Sequence, residues 1–177
     1  MVVRRIHTIP EDILSQKGEK IREINDEIKQ IAKDLVDTLD VASKPEGAGL
    51  AANQIGVAKR ICVVRNFFED PTNSRRTIKE DFILINPKIV SESKETDIDW
   101  EGCLSVPNAY GEVERYQKIK VIAQDLSGDT IKFKAHGFFA RVIQHEIDHL
   151  DGVLFTDRVI GKVLTEADLD RLFGATV

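Results

Sequence analysis

The sequence predicts an α+β protein: antiparallel or mixed sheets packed around a central helix that carries an HExxH motif, with an amphipathic helix near the N-terminus. Three observations lead there. An apolar row at helical spacing runs through the first quarter of the chain. Short strand-like runs follow one another through the middle, and a second helical run holding two histidines comes after them. Helices therefore flank a block of strands instead of alternating with them, which is the α+β pattern.

The elements can be taken in order. Ile21, Ile24, Ile28, Ile31, Leu35 and Leu39 recur at spacings of three and four with acids and lysines between them, which predicts an amphipathic helix from roughly 11 to 41, with Gly18 as a break point. That apolar stripe reads as core. Ser43 to Gly49, with Pro45, Gly47 and Gly49, predicts a loop. Strands are expected at Arg60 to Arg65, Phe82 to Val90, Ile119 to Ala123 and Thr130 to Ala135, the last with Ile131, Phe133 and Ala135 on one face. Ser127-Gly128-Asp129 supplies a hairpin turn between the last two. Asn66 to Asp81 is polar, holds Pro71, Asn73 and the pair Arg75-Arg76, and reads as an exposed loop with solvated charges. A helix is predicted at 136 to 150. A short closing helix spans about Thr165 to Phe173, with Thr165 as its cap.

Length and composition bound the rest. The 177 residues, 42% hydrophobic and 31% charged, predict one domain over 1–177 with a substantial core. A net charge of −5 with no basic stripe argues against nucleic-acid specificity. Arg4 and Arg5 are followed by Glu11 and Asp12 rather than a long apolar run, so the N-terminus reads as neither signal nor transit peptide. No apolar stretch reaches membrane-spanning length. Two cysteines, Cys62 and Cys103, are too few for a disulfide framework and suit a reducing compartment, the cytoplasm.

Chemistry concentrates in His145-Glu146-Ile147-Asp148-His149. On a helix His145 and His149 lie one turn apart on one face, able to reach one metal ion, with Glu146 placed to act on a metal-bound water. A catalytic site needs a third protein ligand. The metzincin pattern fails because its last position is Phe155. Glu166 would complete a zinc endopeptidase set with His145 and His149, although it sits in an acidic cluster at a helix start. Cys103, between Gly102 and a Ser-Val-Pro turn, offers a thiolate. From these residues alone both remain open.

Three segments taken together resemble the signature motifs of the peptide deformylases: Gly47-Ala48-Gly49-Leu50-Ala51-Ala52-Asn53-Gln54-Ile55-Gly56, Glu101-Gly102-Cys103-Leu104-Ser105-Val106-Pro107 and Gln144-His145-Glu146-Ile147-Asp148-His149-Leu150-Asp151-Gly152. Their order and separation match that family, and the resemblance runs from the first helix to about Phe155. It implies Cys103, His145 and His149 as metal ligands and Glu146 as general base, with Gln54 and the backbone N–H of Leu104 as donors to an oxyanion. It implies substrate contact from Gly49, Leu50, Glu101, Gly102, Phe138 and Val142. It further implies removal of the formyl group from N-formylmethionyl nascent peptides, transient ribosome association, and Fe²⁺ as the physiological ion with Zn²⁺, Ni²⁺ or Co²⁺ able to substitute. Departures are visible too. Ala48 stands where many members carry a larger aliphatic residue. Arg141 puts a cation near the pocket, free to snorkel outward or to contact peptide. Asn108-Ala109-Tyr110-Gly111 replaces the usual loop after the second motif, and the basic C-terminal helix of some members is missing. Arg115 is expected to hold Glu101 by a salt bridge.

Overall fold

The computed structural model describes residues 2–42, 47–70 and 72–174, except for the side chains of Asp70 and residues 73–76. The N-terminal helix, α1, spans Asp26–Val41 and opens on Asn25, whose side chain accepts from the Ile28 N–H. It starts later than the apolar spacing suggests, because the preceding stretch is tied down in extended form. Glu19 bridges to Ala58 and Arg60 through backbone bonds of 3.0 and 2.9 Å, and Asn86 brackets the backbone of Ile21 from both sides. Gly18 has a local reason: a Cβ there would press on the Lys59 backbone. Ile21 still enters the core, so periodicity identified the buried residues but not the helix boundary.

Among the described residues seven strands follow, all paired antiparallel. They are β1 (Gly49–Ala51), β2 (Ile61–Asp70), β3 (Asn73–Glu92), β4 (Thr96–Cys103), β5 (Val106–Tyr116), β6 (Lys118–Gln124) and β7 (Thr130–His136). Five form one sheet in the order β1-β2-β3-β6-β7, and β4 and β5 form a second. The expected loop at 66–81 is instead the far half of the β2–β3 hairpin, with Asn66 opposite Glu80, Phe67 opposite Lys79 and Phe68 opposite Ile78. Glu69, Thr77, Lys79 and Glu80 face solvent there, so composition resembles a loop while the ladder satisfies the backbone. The Arg65 guanidinium ties the hairpin to α1, bonding Asp81 at 2.6 and 2.8 Å and Asp40 at 2.5 Å. Pro71, the side chains of Asn73, Arg75 and Arg76, and residues 43–46 of the expected first loop lie outside the described residues.

Helix α2 (Gly137–Leu150) touches both sheets. One face of the large sheet packs on it through Ala51, Cys62, Val64, Leu84, Val121 and Ala135. The other face packs under α1 through Leu50, Ile61, Val63 and Ile85. Val106, Val113 and Phe155 build a third cluster around Cys103. A short helix α3 (Glu166–Phe173) starts from a capping box of Thr165 and Asp168. No helix among the described residues is long and apolar enough to cross a membrane.

Leu35 is fully buried in the middle of α1. Its truncation, Leu35→Ala, should cost about 2–5 kcal/mol of stability in urea unfolding. Removing the cap by Asn25→Ala should cost about 1 kcal/mol in the same assay.

Candidate active site

Helix α2 brings His145 and His149 onto one face with ring centroids 4.9 Å apart. The end of β4 lays Cys103 against them, so the Cys103 sulfur and one nitrogen from each imidazole all lie within 4.8 Å of one another. The Sγ sits 3.2 Å from His149 Nε2 and accepts from Ser105 N at 3.3 Å and Gln54 Nε2 at 3.6 Å. Burial alone would raise the thiol, but the two imidazoles more than offset it and hold Cys103 well below its ordinary pKa. That makes a buried thiolate, the form that binds a divalent ion. His145 is pushed well up in turn: burial opposes its charge, but the Cys103 and Glu101 anions prevail. One sulfur and two imidazoles at this spacing are a donor set that a borderline-soft divalent ion fits. Glu166, the alternative third ligand, is not in the group; it sits at the exposed start of α3.

Behind the donors lies a layer of buried ion pairs. Glu101 Oε2 meets His145 Nδ1 at 3.0 Å, which fixes that ring with its other nitrogen toward Cys103. Arg115 grips the Glu101 carboxylate through two bonds of 2.9 Å, as expected, and Arg141 adds a third at 2.9 Å. Burial would raise Glu101, yet Arg115 and His145 hold it far below the usual carboxylate range. Arg115 also reaches Asp148 at 2.5 Å, and Arg158 closes on the same carboxylate at 2.5 and 2.7 Å.

Glu146 is the exception. Burial pushes its pKa up to about 7, with the nearby Cys103 and Glu101 anions adding to the rise against the pull of the two histidines. Its Oε2 has no hydrogen-bond partner among the described residues. A Cβ on Gly49 would land on this carboxyl group, so the glycine makes room for the base itself.

A cavity of about 190 Å³ opens over these groups. Gly49, Gln54, Glu101, Gly102, Cys103, Leu104, Phe138, Val142, His145 and Glu146 line it, and His149 lies buried beneath. Gln54 accepts from Ala51 N at 2.8 Å and points its amide nitrogen at Ser105 Oγ, 3.1 Å away. Three further residues are placed as follows. Leu50 turns into the core under α1 and offers the cavity no side chain. Glu101 lines the cavity with both carboxylate oxygens already bonded to Arg115, Arg141 and His145. Arg141 neither snorkels nor stays free, because it bonds Glu101 and the Val113 and Asp97 carbonyls. Asp148 was missed as a partner, although it shares with Arg141 the helix face of His145, where a buried charge requires a counter-charge. The segment Asn108–Gly111 is strand β5 and not a loop.

A buried carboxyl group of raised pKa beside a thiolate and two imidazoles, in a cleft between two antiparallel sheets and a helix, defines an α+β hydrolase. A sequence profile described as polypeptide deformylase matches residues 3–163. The chain is 44% identical over 158 residues to peptide deformylase 2 of Gloeobacter violaceus, spanning 89% of this chain and 80% of that one. It is 40% identical over 163 residues to the peptide deformylase of Dictyoglomus thermophilum, spanning 92% and 97%. A Met-Ala-Ser-bound class I type b peptide deformylase from Acinetobacter baumannii superposes with a TM-score of 0.78 at 32% identity, covering 89% of this chain and 99% of the other. The chain belongs to the polypeptide deformylase family, and it is an enzyme of that family.

The Arg115→Met variant takes one cation from each of two buried carboxylates, Glu101 and Asp148. Chemical denaturation should show a loss of about 3 kcal/mol or more, and a loss below about 1 kcal/mol would mean that Arg141 and Arg158 hold the layer without it.

Proposed function

We propose that the chain hydrolyses the N-formyl group of formylmethionine at the start of new polypeptides, with Cys103, His145 and His149 holding one divalent ion and Glu146 as general base. The observation that carries this is Glu146: a carboxyl group buried next to the donor set, poised near pH 7, with one oxygen free to take a proton. When bound, the ion supplies a Lewis acid that makes water acidic near neutral pH. Glu146 receives the proton of the attacking water and passes it to the peptide amine as the formyl C–N bond breaks, so the products are formate and a free amine. Gln54 turns its amide from Ser105 to the formyl oxygen, and Leu104 N–H is the second donor. Each such donor is worth about 3–4 kcal/mol of barrier in related chemistry.

Substrate binding uses Gly49, Gly102, Phe138 and Val142. β1 is an edge strand of the large sheet, so a peptide can pair along its backbone from Gly49 onward. Leu50 takes part through its main chain only. Phe138 and Val142 lie on the His145 face of α2 and form the apolar wall for the methionine side chain. Glu101 acts through His145. Fe²⁺ is the physiological ion on this reading, Zn²⁺, Ni²⁺ and Co²⁺ being substitutes, and the work is done in the cytoplasm with at most transient ribosome contact.

Formate release from formyl-Met-Ala-Ser by anaerobically prepared, iron-loaded protein tests the proposal. Glu146→Ala should retain metal and lose about a hundredfold or more in kcat. Cys103→Ser should lose both metal and turnover. A fully metallated, folded wild type that releases no formate would sink the reading. Iron-loaded protein should also lose activity in air and keep it under argon, as the ion and Cys103 oxidise. Equal lifetimes in the two would count against iron.

A further inference from the structure

Asn108–Gly111, the stretch that departs from the family pattern, is where the end of the chain is attached. Asn108, at φ 56, turns its Oδ1 to accept from Glu166 N at 3.0 Å, at the start of α3. Tyr110 exchanges both backbone bonds with Leu164, at 2.9 and 2.8 Å. Gly111 leaves space that Val159 occupies, since a Cβ there would run into the valine side chain. These contacts fix the segment from Val159 to Glu166 along β5.

At the other end of α3 this attachment has a result. Phe173 meets Trp100 edge-on, with ring centroids 6.0 Å apart and planes at 88°, a geometry aromatic pairs prefer. Core packing does not account for that ring, because α3 buries none of its residues and Phe173 is 68% exposed. Trp100 itself lines the active-site cavity. In β4 it alternates with the buried Glu101 and Cys103, so the indole belongs to the mouth of the cavity and not its floor. The other large aromatic on the cavity, Phe138, is backed in the same manner by Phe67 of β2, at 6.3 Å. Two elements outside the motifs thus each prop one aromatic wall.

We propose that Trp100 is a specificity residue that packs against apolar side chains following the formylated methionine, and that Phe173 is its positioning residue. The assignment rests on the function proposed above, since it is the peptide beyond the methionine that must pass the mouth. A rigid indole with few rotatable bonds gives apolar contact at low entropic cost, and a ring held by an edge-on neighbour loses less on binding.

Trp100 is the chain's single tryptophan, so its emission reports the site directly. Wild type should show a lower KM for formyl-Met-Leu-Ser than for formyl-Met-Ser-Ser, by about fivefold, the scale of one aromatic contact. Phe173→Ala and Trp100→Ala should both bring that ratio towards one, and in Phe173→Ala kcat should move less than twofold. Phe173→Tyr should restore it, and Leu172→Ala, next to Phe173 and exposed, should leave it alone. In parallel, unformylated Met-Leu-Ser should shift the indole emission of wild type more than Met-Ser-Ser does, and Phe173→Ala should weaken that response. An unchanged KM ratio in Phe173→Ala, or an emission indifferent to peptide, overturns the proposal. Absence of formate release from wild type would defeat the proposed function instead, and the emission titration would still decide the role of Trp100.

Discussion

The Glu101 carboxylate sits where β4, β5 and α2 meet, and it is gripped by Arg115 of β5 and by Arg141 and His145 of α2, the helix that bears the donor set. Arg115 extends the grip to Asp148, which Arg158 closes from the C-terminal side. The Arg115 and Arg141 guanidinium groups and the Glu101 and Asp148 carboxylates are thereby removed from water together, with the exposed Arg158 closing the network from the surface. Burying such ions is costly one at a time and tolerable only when each is paired with good geometry. The small sheet has little apolar surface of its own, since the buried positions of β4 are Glu101 and Cys103. Its place against α2 therefore depends on this network as much as on the Val106, Val113 and Phe155 cluster.

The same burial treats two neighbouring glutamates in opposite ways. Glu101 is flanked by arginines and stays ionised far below the ordinary range, whereas Glu146 has no cation of that kind and rises to about 7. One is held as a fixed charge that orients a ring. The other is left able to gain and lose a proton near neutral pH. Environments that drive like groups apart are a common basis for dividing acid–base roles. Gly49 completes the arrangement by ceding its side-chain space to the second carboxyl group.

How much of this was legible in the sequence depends on how local the signal was. His145, Glu146 and His149 are spaced by the helix alone, so their shared face followed from periodicity, and the helix found at Gly137–Leu150 differs from the expected range by one residue. Strands β6 and β7 alternate cleanly and were found with their turn. Strand β4 was invisible because its inward residues are an acid and a thiol rather than aliphatics. The outer β2–β3 hairpin was invisible because its few apolar residues, Phe67, Phe68 and Ile78, are set among charged ones without clean alternation, and its ladder lies in the backbone, which composition does not report. The N-terminal apolar row identified Ile21, Ile28, Ile31, Leu35 and Leu39 as core correctly, but Ile21 reaches the core from an extended segment pinned by Asn86. The partners of Arg141 and Asp148 arise from contacts between distant elements, which no spacing rule encodes.

Strand β1 is only three residues long and forms one margin of the large sheet. A margin so short is a poor template for sheet-to-sheet association between copies, which is how natural sheets guard an open edge. On the function proposed above, a peptide added there gains few main-chain bonds, so β1 aligns it while the side-chain walls supply most of the hold. Brevity of the strand thus leaves selection to the side chains that line the cavity, as well as guarding against aggregation.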